Sequence, residues 1–479
     1  MKAGFFATDI TPAIGMVMPG GYLRAYHTAV HDPLKVRASV FEDEATAIAL
    51  VGLDTLSLQY PRRFRDAIRQ EVQHRCGIPA DNILLAASHT HSGGPLAHYL
   101  PQDFDDAPEL VRELALNYAP IGDPLYHDHV VGQAITAICE AWRRRQEAML
   151  SVGVGVEDKV AFNRRFRMRN GRVYTHPGKG NPDIIEPAGP TDPQVGVLGA
   201  WDAAGNLLGC VVNFTCHCTT FGGATSADYV HYIERVVQGV YGAGAGVVFL
   251  NGACGDVTQV DNQSMREPEF GEKWSRLVGT RVGAEAVKVL ATAVPGDLRP
   301  LGAATRVLRI PRRKPSRERV EQSRRIVEEG LRSGRLDTPF VFAMQVLFQD
   351  YLISKEPEAE VEIQALQVGP ALFVANPAEL FCTLGLEIKR RSPFPYTFVV
   401  EKANGCVNYV PDPESFGPDG GGYETILISD ALEVDAGRKI VEASVELALQ
   451  FTPGAVPDHP QVEAPGQPWD YGVLGPELE

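Results

Sequence analysis

A chain of 479 residues, 44% hydrophobic and 22% charged, has ample material for a large core, and its length allows two or three domains or one large domain with embellishments. A net charge of -15 with a pI near 5.3 argues against nucleic acid or an anionic membrane as the main partner, because both reward clustered Lys and Arg. The one basic cluster, Arg312 to Arg325, is interleaved with Glu318 and Glu321, and its second half reads as a solvated helix face.

Met1 to Pro12 enters folded-looking sequence at once, without the apolar stretch and small-residue cleavage site of a secretory signal, so a cytoplasmic location is expected. No run approaches the roughly 20 apolar residues that span a bilayer, so no stable membrane insertion is expected. In chain order, Ala47 to Leu53, Ile83 to Ala87, Cys210 to Phe214, Gly246 to Leu250 and Ala371 to Ala375 read as strands buried on both faces. Pro61 to Cys76, Asp128 to Arg145, Tyr229 to Tyr241, Lys273 to Leu290 and Ser316 to Glu329 carry helical spacing. The alternation predicts an α/β fold with a mostly buried sheet flanked by helices. A hairpin within Glu360 to Phe373, broken at Gly369-Pro370, makes that sheet mixed. Thr175 to Gln194 is long, Gly/Pro-rich and without regular pattern, and no internal repeat is visible. The preferred division is one catalytic domain over residues 1–453 and a Pro/Gly-rich tail over 454–479. Cysteines 76, 139, 210, 216, 218, 254, 382 and 406 suit reduced, buried thiols better than a disulfide framework. Size and charge are compatible with a monomer or a homo-oligomer.

His89-Thr90-His91 stands at the mouth of an apolar strand. In extended chain, residues i and i+2 face the same way, so both imidazoles can bind one metal, or one can bind it while the other meets substrate. A pair of surface-loop histidines is the plain alternative. His217 lies between Cys216 and Cys218, which in extended chain point away from it; a zinc site made by the two cysteines is the rival reading. Asn376-Pro377-Ala378-Glu379 precedes a helical run from Leu380 to Lys389, which locally makes Asn376 an N-cap and Glu379 a capping-box acid. Cys254 has no base beside it and reads as an inert buried thiol.

Several separated motifs occur in a fixed order: Ala87 to Gly94, Asn163-Arg164, Val212 to His217, Gly255-Asp256-Val257, Pro377-Ala378-Glu379 and Asn408-Tyr409, preceded by Asp9 to Pro12 and Gly20-Gly21-Tyr22. As a set they resemble the neutral/alkaline (non-lysosomal) ceramidase family over about residues 1 to 450. The resemblance implies a zinc-dependent amidase in a large α/β domain. It assigns His89, His217, Glu379 and Tyr409 to the metal, although on local grounds Tyr409 would be an ordinary packing tyrosine. It assigns His91 to the scissile carbonyl, Tyr423 in Gly421 to Glu424 to a substrate-facing role, and Arg164 to the substrate carbonyl or head group, where a surface ion pair is the local alternative. Where the family reads Gly-Asp-Val-Ser-Pro-Asn, this chain reads Gly255-Asp256-Val257-Thr258-Gln259-Val260, which disfavours a covalent hydroxyl mechanism and ceramide specificity. The chain also ends before the C-terminal immunoglobulin-like domain of longer members, so a soluble small-molecule amide or ester is expected in place of membrane ceramide.

The expected mechanism is attack by a metal-bound hydroxide on an N-acyl carbonyl, with zinc lowering the pKa of water from about 15.7 toward about 7. Four protein ligands describe a closed site, whereas without Tyr409 the His2Glu set matches an open hydrolase arrangement. An esterase or lactonase with the same zinc site, or a non-catalytic zinc-containing binding protein, are the alternatives. Asp32, Asp54 and Asp256 are candidates for orienting the histidines.

Overall fold

A computed structural model describes the chain except residues 59–62, 97–98, 460–462 and 464–465. Among the described residues the α-helices are α1 (Arg63–Cys76), α2 (Glu109–Asn117), α3 (Pro124–Arg144), α4 (Tyr229–Tyr241), α5 (Glu272–Thr292), α6 (Arg317–Ser333), α7 (Thr338–Lys355), α8 (Cys382–Arg391) and α9 (Ala436–Ala448). Their starts follow capping chemistry: Asp123 accepts from the amides of Leu125 and Tyr126 ahead of Pro124, and Ser316 accepts from Arg319. Pro61 and Arg62, expected in α1, lie outside the described residues.

The α/β fold class holds, but the one mixed sheet expected is divided into three larger ones. Each is mostly antiparallel and ends in a parallel pair joined by a helix. In the first, Lys2–Asp9, Lys35–Glu42 and Ala47–Leu53 run antiparallel, and α1 crosses over to Ile83–Ala87, parallel to Ala47–Leu53. In the second, Met149–Val156, Gln194–Trp201 and Leu207–Phe214 run antiparallel, and α4 crosses over to Gly246–Asn251. In the third, Leu301–Pro311, Glu358–Val368 and Ala371–Ala375 run antiparallel, and α8 crosses over to Tyr396–Val400. The topology therefore repeats three times, although no repeat is visible in the sequence.

Alternation of side chains explains how the sheets stack. Ile48, Leu50, Leu84, Val211, Val248, Leu250, Phe373 and Phe398 from all three sheets share one central core. The other faces are covered separately. Val51, Leu53 and Leu85 pack on α1 and α3, Val212 and Phe249 on α4 and α5, and Leu372 and Val374 on α8 and α9. Helices α2, α6 and α7 form a separate apolar cluster around Phe104, Leu114, Val327, Phe340 and Phe348.

Two local expectations are corrected. The helix placed at Leu380 to Lys389 starts at Cys382, and Glu379–Leu380 forms a short strand parallel to Tyr409–Val410, so Glu379 caps no helix and is released for other work. The stretch Thr175 to Gln194 is not patternless, since Ile184–Pro187 pairs with Arg165–Met168. In the C-terminal stretch the Gly454 amide donates to Gly369 O at 3.0 Å, whereas the short helical turn Asp470–Val473 is exposed.

Candidate metal centre

The C-terminal ends of the three parallel pairs converge, the usual ligand position in open α/β sheets. After Ile83–Ala87 the Ser88 amide donates to Leu53 O (2.8 Å) and the His89 amide to Thr55 O (3.0 Å), and His89 takes φ 67°. This turn corrects the extended geometry assumed for His89-Thr90-His91: the rings meet because the backbone reverses hand at His89, with centroids 5.0 Å apart. His217 follows the strand Leu207–Phe214, and its ring centroid lies 4.7 Å from that of His89.

Each of the three imidazoles is fixed by a main-chain carbonyl on Nδ1: Leu56 O at 2.7 Å for His89, Gly20 O at 2.9 Å for His91, and Cys254 O at 2.6 Å for His217. A carbonyl only accepts, so each Nδ1 carries the proton and each Nε2 offers a lone pair to the site. A Cβ at Gly20 would collide with the His91 carbonyl, and one at Gly255 with that of Glu379, so both close approaches require glycine.

Glu379 completes the cluster. Its Oε2 lies 3.3 Å from His89 Nε2 and 3.4 Å from His217 Nε2, and the Tyr409 hydroxyl lies 3.4 Å from His217 Nε2. These separations are long for hydrogen bonds. They match the edge of a tetrahedron of donors about 2.0–2.2 Å from a central ion, roughly 3.3–3.6 Å. His89 Nε2, His91 Nε2 and Glu379 Oε2 are buried without a hydrogen-bond partner, as a donor set awaiting a cation would be. His89, His91 and His217, whose ligating atoms all lie within 4.8 Å of one another, could hold a metal. The residues therefore fit an ion, and Glu379 lies against two of the three imidazoles.

The charges are arranged to match. Lys402, fully buried at the end of Tyr396–Val400, donates to Glu379 Oε1 at 3.1 Å. Burial alone would raise the Glu379 carboxyl, but the Lys402 ammonium holds it well below the usual range. Burial pushes His91 down to about 3 and His217 well below its ordinary value, keeping both neutral. Burial, then Glu379, raises the Tyr409 phenol, and burial pushes Tyr423 up to about 12.

The remaining expectations divide. Tyr423 lines the cavity beside the cluster, its hydroxyl against that of Tyr22. Arg164 does not line it. Its guanidinium donates to Glu424 (2.6 Å) and Gly255 O (2.9 Å) and lies 5.3 Å from the Tyr409 ring centroid, so the expected substrate contact gives way to support of Tyr409. Thr258 is also off the cavity, its hydroxyl accepting from the Val260 amide. Cys216 and Cys218 are buried in the apolar core with α4 and α5, outside the histidine group, which removes the zinc-cysteine reading. The Cys254 thiol donates to Glu401 at 2.9 Å. Asp32, Asp54 and Asp256 do not orient the cluster histidines, because main-chain carbonyls do; they bind Ser226 and Ala227, Arg37 and Lys35, and Asn163 and Cys382 respectively.

Lys402 and Glu401 are additions the sequence reading missed, and Tyr22, which entered it only as part of a motif, gains a place beside Tyr423. Glu401-Lys402 directly follows a buried apolar strand, the signal that made His89 conspicuous. The cavity above the cluster has a volume of about 210 Å³; His89, His91, Glu379, Tyr409 and Tyr423 stand at one end, and Phe104, Ala115, Ile121 and Phe348 line the helical side.

No family model matches the chain. In sequence it is 28% identical over 229 residues to the neutral ceramidase of Pseudomonas aeruginosa, a stretch covering 47% of this chain and 31% of that protein. The match thus spans under a third of the curated relative. In structure it resembles the crystal structure of neutral ceramidase from Pseudomonas aeruginosa, with a TM-score of 0.70 and 20% identity over 95% of this chain and 76% of that one. This chain is a homologue of neutral ceramidase. A ceramidase complexed with C2 is similar at a TM-score of 0.67 and 20% identity, over 95% of this chain and 77% of that one. The neutral ceramidase fold therefore accounts for nearly the whole chain.

Proposed function

We propose that this chain is a zinc-dependent hydrolase that cleaves an amide (N-acyl) bond in a soluble small molecule. The observation that carries the reading is the approach of His89 Nε2 (3.3 Å) and His217 Nε2 (3.4 Å) to Glu379 Oε2 at the end of a largely apolar cavity. Relatedness to neutral ceramidase supports the bond type. His89, His217 and Glu379 would hold the ion, with Tyr409 as a fourth donor at 3.4 Å from His217. Bound there, zinc supplies Lewis acidity to polarise a carbonyl and acidify a water.

The chain's own groups do the rest. His91 Nε2 is unprotonated, unpartnered and beside the cluster, so it takes a proton from the nucleophile and returns it to the departing nitrogen. Tyr423 keeps its proton and donates to the developing oxyanion, steered by Tyr22. Arg164, tied to Glu424 and Gly255 O, steadies Tyr409. Thr258 is spent on the Val260 amide and takes no part as a nucleophile. A cytoplasmic setting agrees with eight free cysteines, and no helix among the described residues is long and apolar enough to cross a membrane.

The test is metal analysis of the purified protein with turnover of matched amide and ester substrates. Zinc bound near one per chain with amide cleavage supports the reading. Ester cleavage alone makes the protein an esterase, and zinc without turnover of either makes it a binding protein.

A further inference from the structure

Helix α7 walls the cavity opposite the metal cluster, and ring contacts lead across from one to the other. Tyr409 lies 6.3 Å from His217, Tyr423 5.6 Å from Tyr409, Tyr22 6.4 Å from Tyr423, and Phe342 of α7 6.5 Å from Tyr22. The helix is apolar nearly all round, burying Phe340, Val341, Met344, Val346, Leu347 and Phe348. Two carboxamides interrupt it on the cavity side. Gln345 and Gln349, one turn apart and so on one face, both line the cavity. Gln349 is only 7% exposed and Gln345 is half-buried, so both present carboxamides to the cavity from a largely apolar helix.

A carboxamide in an apolar wall costs free energy when a ligand fills the cavity and dries it without bonding to it, and Leu or Met at either position would keep the helix and fill the wall without that cost. Phe104, Ala119, Ile121 and Phe348 suit a hydrocarbon segment, but a plain chain passing Gln349 would leave the amide dry. Beyond it the surroundings become more polar. Tyr99 and Leu352 line both this cavity and a neighbouring cleft with Arg63, Asp103, Arg312 and Lys355.

We infer that Gln345 and Gln349 form a recognition subsite for a neutral hydrogen-bonding group, a hydroxyl or carboxamide, carried on the substrate arm that fills the cavity. The substrate is then an amide whose apolar arm is interrupted or ended by such a group, in place of an unbroken hydrocarbon. This rests on the hydrolase reading for the bond cleaved, but the selectivity belongs to the cavity and can be measured without cleavage.

The test uses the full chain and N-acyl anilides of graded chain length, each length with and without a terminal hydroxyl. If the protein cleaves them, kcat/KM is the readout. If it does not, the same compounds are titrated calorimetrically, so a failed hydrolase reading leaves the subsite measurable. At the length that reaches α7, the hydroxylated member is favoured at least about 30-fold. In Gln349→Leu, and to a smaller degree in Gln345→Leu, that preference collapses toward unity, mainly through loss on the hydroxylated compound. Equal handling of the two members at every length by the native protein overturns the inference without any variant. So does a preference that survives in both variants, with their folding checked by thermal unfolding.

Discussion

At the floor of the cavity three imidazoles and a carboxylate are held by main-chain carbonyls and a buried ammonium, whereas the wall made by α2 and α7 is held by side-chain packing. The floor is assembled from the ends of three sheets. His89 comes from the first, His217 from the second and Glu379 from the third, and each is steadied from the companion strand of its parallel pair through Leu56 O, Cys254 O or Lys402. The wall comes from neighbouring helices, and its ties are fewer and lie away from the cavity-lining glutamines: Arg24 donates to Ala119 O, and the Tyr351 hydroxyl to Asp106. On the proposed reading, chemistry would be fixed where main-chain contacts hold the side chains, and selectivity would lie where the packing can change.

The sharpest way to break this contrast is at the floor. His217→Ala or Glu379→Ala should lower metal affinity by more than about 10²-fold, read by elemental analysis after dialysis against a chelator. A variant that keeps full metal would remove that residue from the set. His91→Ala should keep the ion and lose about 10²- to 10⁴-fold in kcat on an amide, and less on an ester, whose leaving group needs its proton less. If the ion is lost as completely as in His217→Ala, the floor is a three-histidine centre instead.

Lys402→Met should destabilise the fold by about 3 kcal/mol in urea titrations, because Glu379 is left charged and unpaired in the interior. An unchanged midpoint would show that the ammonium is not what steadies it. Glu401 offers a pH test of the same region in chelator-stripped protein. Burial raises its folded pKa to about 8, above the ordinary 4.5, so the fold takes up a proton. Its stabilising share is fully present below pH 4.5 and is lost as the pH rises through about 8. Glu401→Gln should therefore gain on the native protein across that window; parallel stability curves would refute the shift. Smallest is a change in the wall: Leu352→Ala should leave metal content intact and alter kcat/KM by roughly 10-fold in a chain-length-dependent way. Loss of metal there would mean that wall and floor are not separable.

The sequence exposed the floor better than the wall. Continuous apolar runs such as Ala47–Leu53 and Ile83–Ala87 marked the strands, and charged or imidazole groups just past their ends marked the site. The division into three sheets was hidden because strands buried on both faces do not say which faces meet. Helix α7 escaped notice because its apolar residues lie on all sides, leaving no stripe. Glu379 misled in the opposite sense: its Asn-Pro-Ala-Glu setting has every local mark of a helix start, and pairing with Tyr409–Val410 overrides it.

The carbonyl anchors on the histidines have an evolutionary consequence. A main-chain oxygen survives most substitutions at its own position, so Leu56 and Cys254 can drift in side chain, within the limits of packing, while still aiming the rings, whereas Gly20 is held as glycine by its contact with the His91 carbonyl. The Glu379–Lys402 arm has no such insurance, because both partners are side chains. In a lineage of such proteins the imidazole geometry would outlast the Glu379–Lys402 pair, so a metal site of the proposed kind would be lost first at that arm.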